Sequence, residues 1–567
     1  MISGLAHRLG WLEKIALSLI LSVSFVSLVT PALSLFTSSY LFYSLAILLG
    51  SSAVLICVFL LKNRASIQTR PKLKFEKKWL PLAVALIGYA ALLLSLYYYS
   101  PYFPTARASD SIAHASFAEA ILLGDGRNLL LHNTSYPLGM HFVTAVISST
   151  AGINVLDSLR LLLSLVLIDI LLLTYFAARE VLGDERLAGI AVLVGAFAVP
   201  ADLIHFILVG TFPNVVADGL ILALLWQLFC FIKAPSMRAG LTLALLGLGG
   251  VVVHSSIIIF FVLLWAMIPI VFLMLRSHLR RYVLAALYSI SGIVLLALVA
   301  SSVLGRNVGR LLDAYFMLAN SSHPQDVVFL IAYLNLLWNF RALMGWMSAI
   351  ATALAIIFVL LKPRKSIADL FMVVWIALLV VGALVSGTTD RFVLFSMIPA
   401  TFLVAGLLGW GSEMLATLRK TRIRPRKIRT IVLALALLAL VAYGQFPSLT
   451  SAAYDPVNRS SQMGVQASMG WLMQGNCPRG VASLGLWVEY RFLPTLTGIS
   501  YFGDLLYFAK PDRVFQKSVE LGFSCVAMET GNQNFHLFEV DSRFQEKYRN
   551  DAVAIFLVTQ LTMMHEN

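Results

Sequence analysis

YFPTARASDSIAHASFAEAILLGDG, residues 102–126, and NTSYPLGMHFVTAV, residues 133–146, belong to the longest polar interruption between apolar segments in the first half of this chain. From Ser109 to Leu123 the apolar positions recur at helical spacing. This predicts an amphipathic helix lying along a membrane face, capped by Ser109 or Asp110. Asp110 and His114 then share one face, four residues apart, with Glu119 further along the same helix. Gly124-Asp125-Gly126 reads as a turn, and Tyr136 and Pro137 open a second short helix that carries His141. Such a loop, held between membrane spans, suits a reacting group that must meet a lipid-borne molecule at the membrane surface.

Composition sets the class around that loop. The chain is 59% hydrophobic and 12% charged, with a mean hydropathy of +0.85. Repeated apolar runs of about 20 residues each span a bilayer, so the expectation is a polytopic membrane protein. The net charge of +14 does not point to nucleic acid. The basic residues sit in short loops between apolar runs, where they set membrane orientation, and no basic aromatic platform accompanies them. The first apolar run, near Leu12, has no small-residue cleavage site after it and reads as a retained span.

Working outward along the chain, spans are expected near 14–35, 40–61 and 79–99 before the loop. After it they fall near 158–178, 187–208, 213–233, 239–254, 256–275, 282–303, 342–361, 367–386, 391–411 and 430–446, about thirteen in all. Basic clusters at KNRASIQTRPKLKFEKK, Lys233 with Arg238, RSHLRR, KPRK and LRKTRIRPRKIR then fall on one side. That side is cytoplasmic, with the N-terminus on it. The loop at 100–158, the stretch 305–326, the turn SGTTDR and everything after Phe446 fall on the other side, together with the Asn-x-Ser/Thr triplets at Asn133, Asn320 and Asn458. Three regions follow: 1–78, a two-span hairpin with a basic loop; 79–446, the main membrane domain; and 447–567, a smaller domain outside the cytoplasm.

In the last region hydrophobicity drops. VASLGL (481–486), CVAMET (525–530) and AVAIFLV (552–558) read as strands, while 462–474 and 511–522 read as helices, a small α/β domain that could hold a parallel sheet. Cys477 and Cys525 each precede a strand. Outside the cytoplasm they could form a disulfide, the alternative being two unpaired small residues.

These residues resemble the GT-C glycosyltransferases, polytopic enzymes that move a sugar from a polyprenyl-phosphate carrier to an acceptor at the outer or lumenal face. The resemblance runs from about residue 79 to 567. It rests on Asp110 just beyond an outward-going span, the Tyr136-Pro137-Leu138-Gly139 step into a second juxtamembrane helix, and Arg160 opening the next span. It also rests on YFAARE, similar to a Tyr-x-x-Ala-Arg pattern, and on FQEKYRNDAVAIF from Phe544, similar to a Phe-x-x-x-Tyr-x-Asn-x-x-Val-x-Ile ending. The first two spans stand outside it as an added hairpin.

The resemblance implies a membrane-embedded enzyme with the bilayer, a polyprenyl-phosphate sugar and a glycan, lipid or protein acceptor as partners, and no other cofactor. The family's first loop often carries two adjacent acids, whereas here Ser109 precedes Asp110. A single carboxylate suits a metal-free inverting reaction, with Asp110 taking the acceptor's proton. The competing reading of Asp110 is a helix cap. His114, Glu119 and His141 orient substrate or simply face water or an interface. Asp390 and Arg391, at the outer mouth of a late span, hold a leaving phosphate or anchor the interface. His205, Asn214, Asp218 and His254 lie near outer span ends, and Arg306, Arg310 and His323 are further headgroup or phosphate candidates. A transporter or flippase of lipid-linked saccharides is the alternative function; it predicts matching halves with interrupted helices, and no internal repeat is evident.

Overall fold

A computed structural model describes residues 10–62, 79–99, 109–132, 137–198, 212–254, 257–304, 345–385, 389–418 and 436, and in the C-terminal region 464, 467–468, 470–477, 480–483, 501–502, 510–530, 532 and 534–559. The chain divides into two compact units. One comprises Met1–Leu92, Ala120–Ile207 and Phe212–Thr450; the other comprises Leu93–Glu119, Leu208–Thr211 and Ser451–Asn567.

Helices cover the apolar runs. They are α1 (Trp11–Ser34), α2 (Tyr40–Lys62) and α3 (Leu80–Tyr99), then the loop helices α4 (Ser109–Leu122), α5 (Gly126–His132) and α6 (Gly139–Ala151). There follow α7 (Val155–Leu182), α8 (Glu185–Leu193) with a π turn at Val194–Ala198, α9 (Phe212–Lys233), α10 (Met237–Val253), α11 (Ile257–Met274) and α12 (Leu279–Leu304). The last are α13 (Trp346–Leu361), α14 (Ile367–Val385) and α15 (Thr389–Leu418). Each expected span from 14–35 to 391–411 therefore has a helix, because a run of apolar residues this long can satisfy its backbone in lipid only as a helix. The expected span at 187–208 is helical up to the π turn, and most of 430–446 lies outside the described residues. Of these helices, α1, α7, α9 and α11 are long and apolar enough to cross a membrane by length and composition.

The bundle is organised around α9, which is buried on nearly every side against α7, with α10 and α12 beyond it. Lipid is as apolar as leucine, so close approach of backbones, not burial of oil from water, has to hold helices together. Small residues provide it. A Cβ on Gly292 of α12 would lie 2.8 Å from the Ala244 carbonyl oxygen and 2.9 Å from the Leu248 nitrogen of α10.

The first span is not an appendage. Helix α1 packs against α6, α7 and α10, and Ser24 Oγ donates to the Leu245 carbonyl at 2.7 Å. At its N-terminal end Glu13 caps the Gly10 amide at 2.5 Å and pairs with Arg179 at 2.5 Å. Arg179 also meets Glu180 at 3.1 Å, and Glu180 meets Lys233 of α9 at 2.9 Å. Four charges thus tie the ends of α1, α7 and α9 together.

The C-terminal region forms a five-stranded sheet in the order β2 (Tyr501–Phe502), β1 (Val481–Ser483), β3 (Cys525–Glu529), β5 (Val553–Val558), β4 (Phe544–Arg549), with α16 (Pro511–Leu521) and the short α17 (Phe535–Glu539). Strand β1 runs parallel to β2 and β3, whereas β5 is antiparallel to both β3 and β4. The parallel sheet is thus only half of a mixed one, because β4 and β5 are joined by a tight turn, which forces antiparallel pairing. Residues of β3 alternate between two cores. Val526 and Met528 pack with Phe538, Phe544 and Phe556, and Cys525 and Ala527 with Leu472, Val481 and Ile555. A disulfide joins Cys477 to Cys525, with Cα atoms 5.8 Å apart.

Candidate functional site

Asp110 is the second residue of α4, inside its first turn. The described part of the helix begins at Ser109. A carboxylate in a first turn faces the positive end of the helix dipole. The amphipathic expectation changes. His114 is buried with Ala115, Ala118 and Ile121, so a polar side chain lies in the stripe that should be apolar, while the neighbouring Leu123 is exposed. Three of those four buried residues are small or polar, which a floating surface helix would not put on its apolar face.

Burial pushes the His114 imidazole down to about 4, so it is neutral at pH 7. Burial also raises the Glu119 carboxyl above the usual carboxylate range. His114 therefore offers hydrogen bonds, not positive charge, on the face one turn beyond Asp110.

The end of α4 is a tight junction. Gly124, with φ +101°, donates to the Ile121 carbonyl at 3.1 Å, and Asp125 donates to Ala120 at 2.9 Å. This is a Schellman stop, which needs a residue tolerant of positive φ. Asp125 then immediately precedes α5, its carbonyl accepting from the Leu129 amide at 3.0 Å and its carboxylate from Asn128 at 2.8 Å. The Gly-Asp-Gly turn is thus a helix stop joined to a helix start, and α5 is a helix that sequence periodicity missed because it is seven residues long.

In the bundle unit, α6 begins at Gly139, as the Tyr-Pro-Leu-Gly step predicted. It is not a surface helix at that end. Met140, His141 and Phe142 are fully buried, while Ser149 and Thr150 are exposed. A Cβ at Gly139 would sit 2.7 Å from the Val252 carbonyl oxygen, so only glycine allows α6 to meet the end of α10. There His254 breaks the helix in extended backbone and is half-buried. The structure thus brings the chain around His141 and His254 to one junction.

The remaining candidates fall on other helices. Asp390 and Arg391 occupy the first turn of α15. Arg160 pairs with Asp157 at 2.9 Å within the first turns of α7. Asn214 and Asp218 are buried one turn apart on α9. His205, Arg306, Arg310, His323 and the three Asn-x-Ser/Thr triplets lie outside the described residues. Two of the motifs have structural roles. In YFAARE, Phe176 stacks on Trp226 at 5.2 Å and Arg179 and Glu180 make the ion pairs with Glu13 and Lys233. In FQEKYRNDAVAIF, Asn550 holds the β4–β5 hairpin: its carboxamide oxygen accepts from the Ala552 and Val553 amides, and its nitrogen donates to the Tyr548 hydroxyl and the Gly464 carbonyl, all within 2.9 Å.

Sequence reading passed over Asp169 and Gln227. Both are 1% exposed within α7 and α9, and both carboxylate oxygens of Asp169 and both polar atoms of the Gln227 amide lack a hydrogen-bond partner among the described residues. The signal was present: Asp169 is the single acid in LLLSLVLIDILLL, and an ionisable group at membrane depth is costly.

No protein-family model matches the sequence, and no curated protein matches it. Among solved structures, the chain is similar to ArnT from Cupriavidus metallidurans, at 14% identity with a TM-score of 0.50, over 84% of this chain and 98% of that one. An oligosaccharyltransferase from Archaeoglobus fulgidus, solved with a tethered acceptor peptide, aligns at 11% identity and a TM-score of 0.49, over 86% and 75%. The arabinofuranosyltransferase AftD from Mycobacteria aligns at 14% and 0.46, over 85% of this chain and 40% of its own. The apolar helices, the helical loop after α3, the mixed C-terminal sheet and the likeness to ArnT along nearly its whole length together show that this is a helical membrane protein with the fold of the GT-C glycosyltransferases.

Proposed function

We propose that the protein is a membrane glycosyltransferase that moves a sugar from a polyprenyl-phosphate carrier to an acceptor hydroxyl at the extracytoplasmic face. The observation that carries the reading is Asp110 in the first turn of the helix that follows α3, within a GT-C fold. In the reaction, Asp110 takes the proton of the acceptor hydroxyl as that oxygen bonds to the anomeric carbon. The bond from that carbon to the carrier's phosphate oxygen breaks, and polyprenyl phosphate leaves with the bonding pair. Single displacement inverts the configuration. A carboxylate with a reference pKa of about 3.9 is already ionised at neutral pH and needs only to be positioned. Neutral His114 orients the acceptor, and Asp390, Arg391, His141 and His254 are the groups proposed to contact donor or acceptor.

Transfer of labelled sugar from polyprenyl phosphate by purified protein tests this. Positioned base catalysis contributes about 10²- to 10⁴-fold, so Asp110→Asn should lower turnover by that order with an unchanged unfolding midpoint. A variant that transfers at the normal rate ends the assignment. The transporter reading has one observation of its own, Asp169 at mid-span without a partner among the described residues, since such groups mark transport routes. Loss of lipid-linked saccharide movement in Asp169→Asn vesicles, with no sugar transfer by the parent protein, would favour it.

A further inference from the structure

The first hairpin is the part of the chain that the resemblance does not explain, and its outer turn reaches the candidate site. Helix α1 stops after Ser34, with Phe36 and Thr37 donating to the Leu33 carbonyl at 3.0 Å, and α2 starts at Tyr40 after five intervening residues. Tyr40 is 1% exposed although it sits at the helix start. Its hydroxyl donates to the Ile121 carbonyl at the end of α4. That carbonyl is the one that also takes the Gly124 amide in the Schellman stop, so Tyr40 supplies a second donor to the same junction. The ring packs edge-on against Phe142 of α6 with centroids 6.0 Å apart. Gly126, which starts α5, lies under it: a Cβ there would come 2.8 Å from the Tyr40 hydroxyl oxygen and 3.0 Å from Phe142. One side chain therefore touches the end of α4, the start of α5 and the buried end of α6.

We infer that Tyr40 is a positioning residue for the outer loop, and that the hairpin serves to fasten the helix that carries Asp110, His114 and Glu119. This inference rests on the proposed transfer reaction for its catalytic consequence, not for the fastening itself. The physical argument is continuity of the helix. Ile121 and Asp110 lie on the same helix, eleven residues apart, about 16 Å at 1.5 Å per residue. Loosening the Ile121 end therefore shifts the helix that carries Asp110, and misplacement by about 1 Å can cost about 10²-fold in rate. Tyr40 touches no reacting atom in this account. It acts through α4.

Two variants test it in full-length protein in lipid nanodiscs. Tyr40→Phe keeps the ring against Phe142 and removes only the hydroxyl. Gly126→Ala keeps the hydroxyl but puts a methyl where it must lie. Hydrogen exchange of the segment 120–126 should rise about 2- to 13-fold in Tyr40→Phe, the range that one net hydrogen bond supports, with exchange in α9 unchanged. In the transfer assay with labelled polyprenyl-phosphate sugar, both variants should lower kcat by up to about 10²-fold and leave KM for the donor near the parent value. Unchanged exchange at 120–126 in Tyr40→Phe overturns the fastening. Raised exchange with normal kcat in both variants overturns the positioning role. If the parent protein transfers no sugar, the proposed function fails while the exchange result still decides the fastening.

Discussion

The membrane bundle and the C-terminal sheet are held together by different physics. In the bundle, apolar side chains gain little by leaving lipid, and the helices are fixed by close backbone approach, as at Gly292 against Ala244 and Leu248, and by a few charges at the ends, as at Glu13, Arg179, Glu180 and Lys233. In the sheet, water makes burial itself the driving force, and Phe538, Phe544 and Phe556 form a core that would not be needed in lipid. Beside that core, a covalent link and side-chain hydrogen bonds also hold the sheet, through Cys477–Cys525 and Asn550. Polar residues accordingly mean different things in the two parts. In the sheet they satisfy turns, as Asn550 does. In the bundle one without a partner among the described residues, such as Asp169, stands out.

The disulfide gives the largest expected separation between the two parts. Cys477→Ser with Cys525→Ser opens a loop of 48 residues, which in the chain-entropy model costs about 4 kcal/mol. Limited proteolysis of the double variant should cut the C-terminal region readily while the bundle fragment stays intact. Equal loss of the bundle would show that the two parts do not stand on separate footings, and recovery of both thiols free from alkylated native protein would remove the link altogether.

Gly292→Ala makes the converse test. Alanine is a better helix former by roughly 1 kcal/mol, but a Cβ less than 3 Å from two backbone atoms forces α10 and α12 apart, and overpacking costs about 1–3 kcal/mol. The clash should win, lowering the detergent unfolding midpoint of the bundle and leaving protease resistance of the C-terminal region unchanged. A raised midpoint would mean that helix propensity, not backbone approach, limits this contact.

The smallest effect belongs to acid. Arg543 donates to Asp541 and to Asp512, and its hydrogen bond holds the Asp541 carboxyl below the usual carboxylate range. A depressed folded value stabilises the folded state above the unfolded pKa of about 3.9, and that contribution is lost as pH falls through the lower folded value. The C-terminal region should therefore lose stability below about pH 4, and Asp541→Asn should flatten that part of the profile. An unaltered acid limb in Asp541→Asn would assign it to other carboxylates.

Much of the architecture was legible because bilayer thickness demands apolar runs of about 20 residues, and a run that long has one solution for its backbone. The helices over the apolar runs, from Trp11–Ser34 to Thr389–Leu418, follow from that, the loop helices excepted. Where the pattern is short it failed: GRNLLLH carries too few turns to show a period, and FQEKYR was read as part of a motif when it is a strand paired to the next. The site was legible as residue types but not as placement. Asp110 could be singled out as an acid after a span, yet whether it caps or enters its helix depends on where the first turn begins.

The amino-acid sequence by itself determined that this is a membrane protein, where most spans lie, that a loop rich in ionisable groups follows the third of them, and that a strand-bearing region ends the chain. These are properties of local composition and period, which act over one helix or strand at a time. Only the tertiary structure decided that the first span belongs to the bundle, that Tyr40 meets Ile121, Gly126 and Phe142, that Gly139 meets Val252, and that β5 lies between β3 and β4. Apart from the β4–β5 hairpin, those contacts join residues from about twenty to more than two hundred positions apart. They depend on which surfaces can approach most closely once every helix and strand is formed, and no local pattern records that.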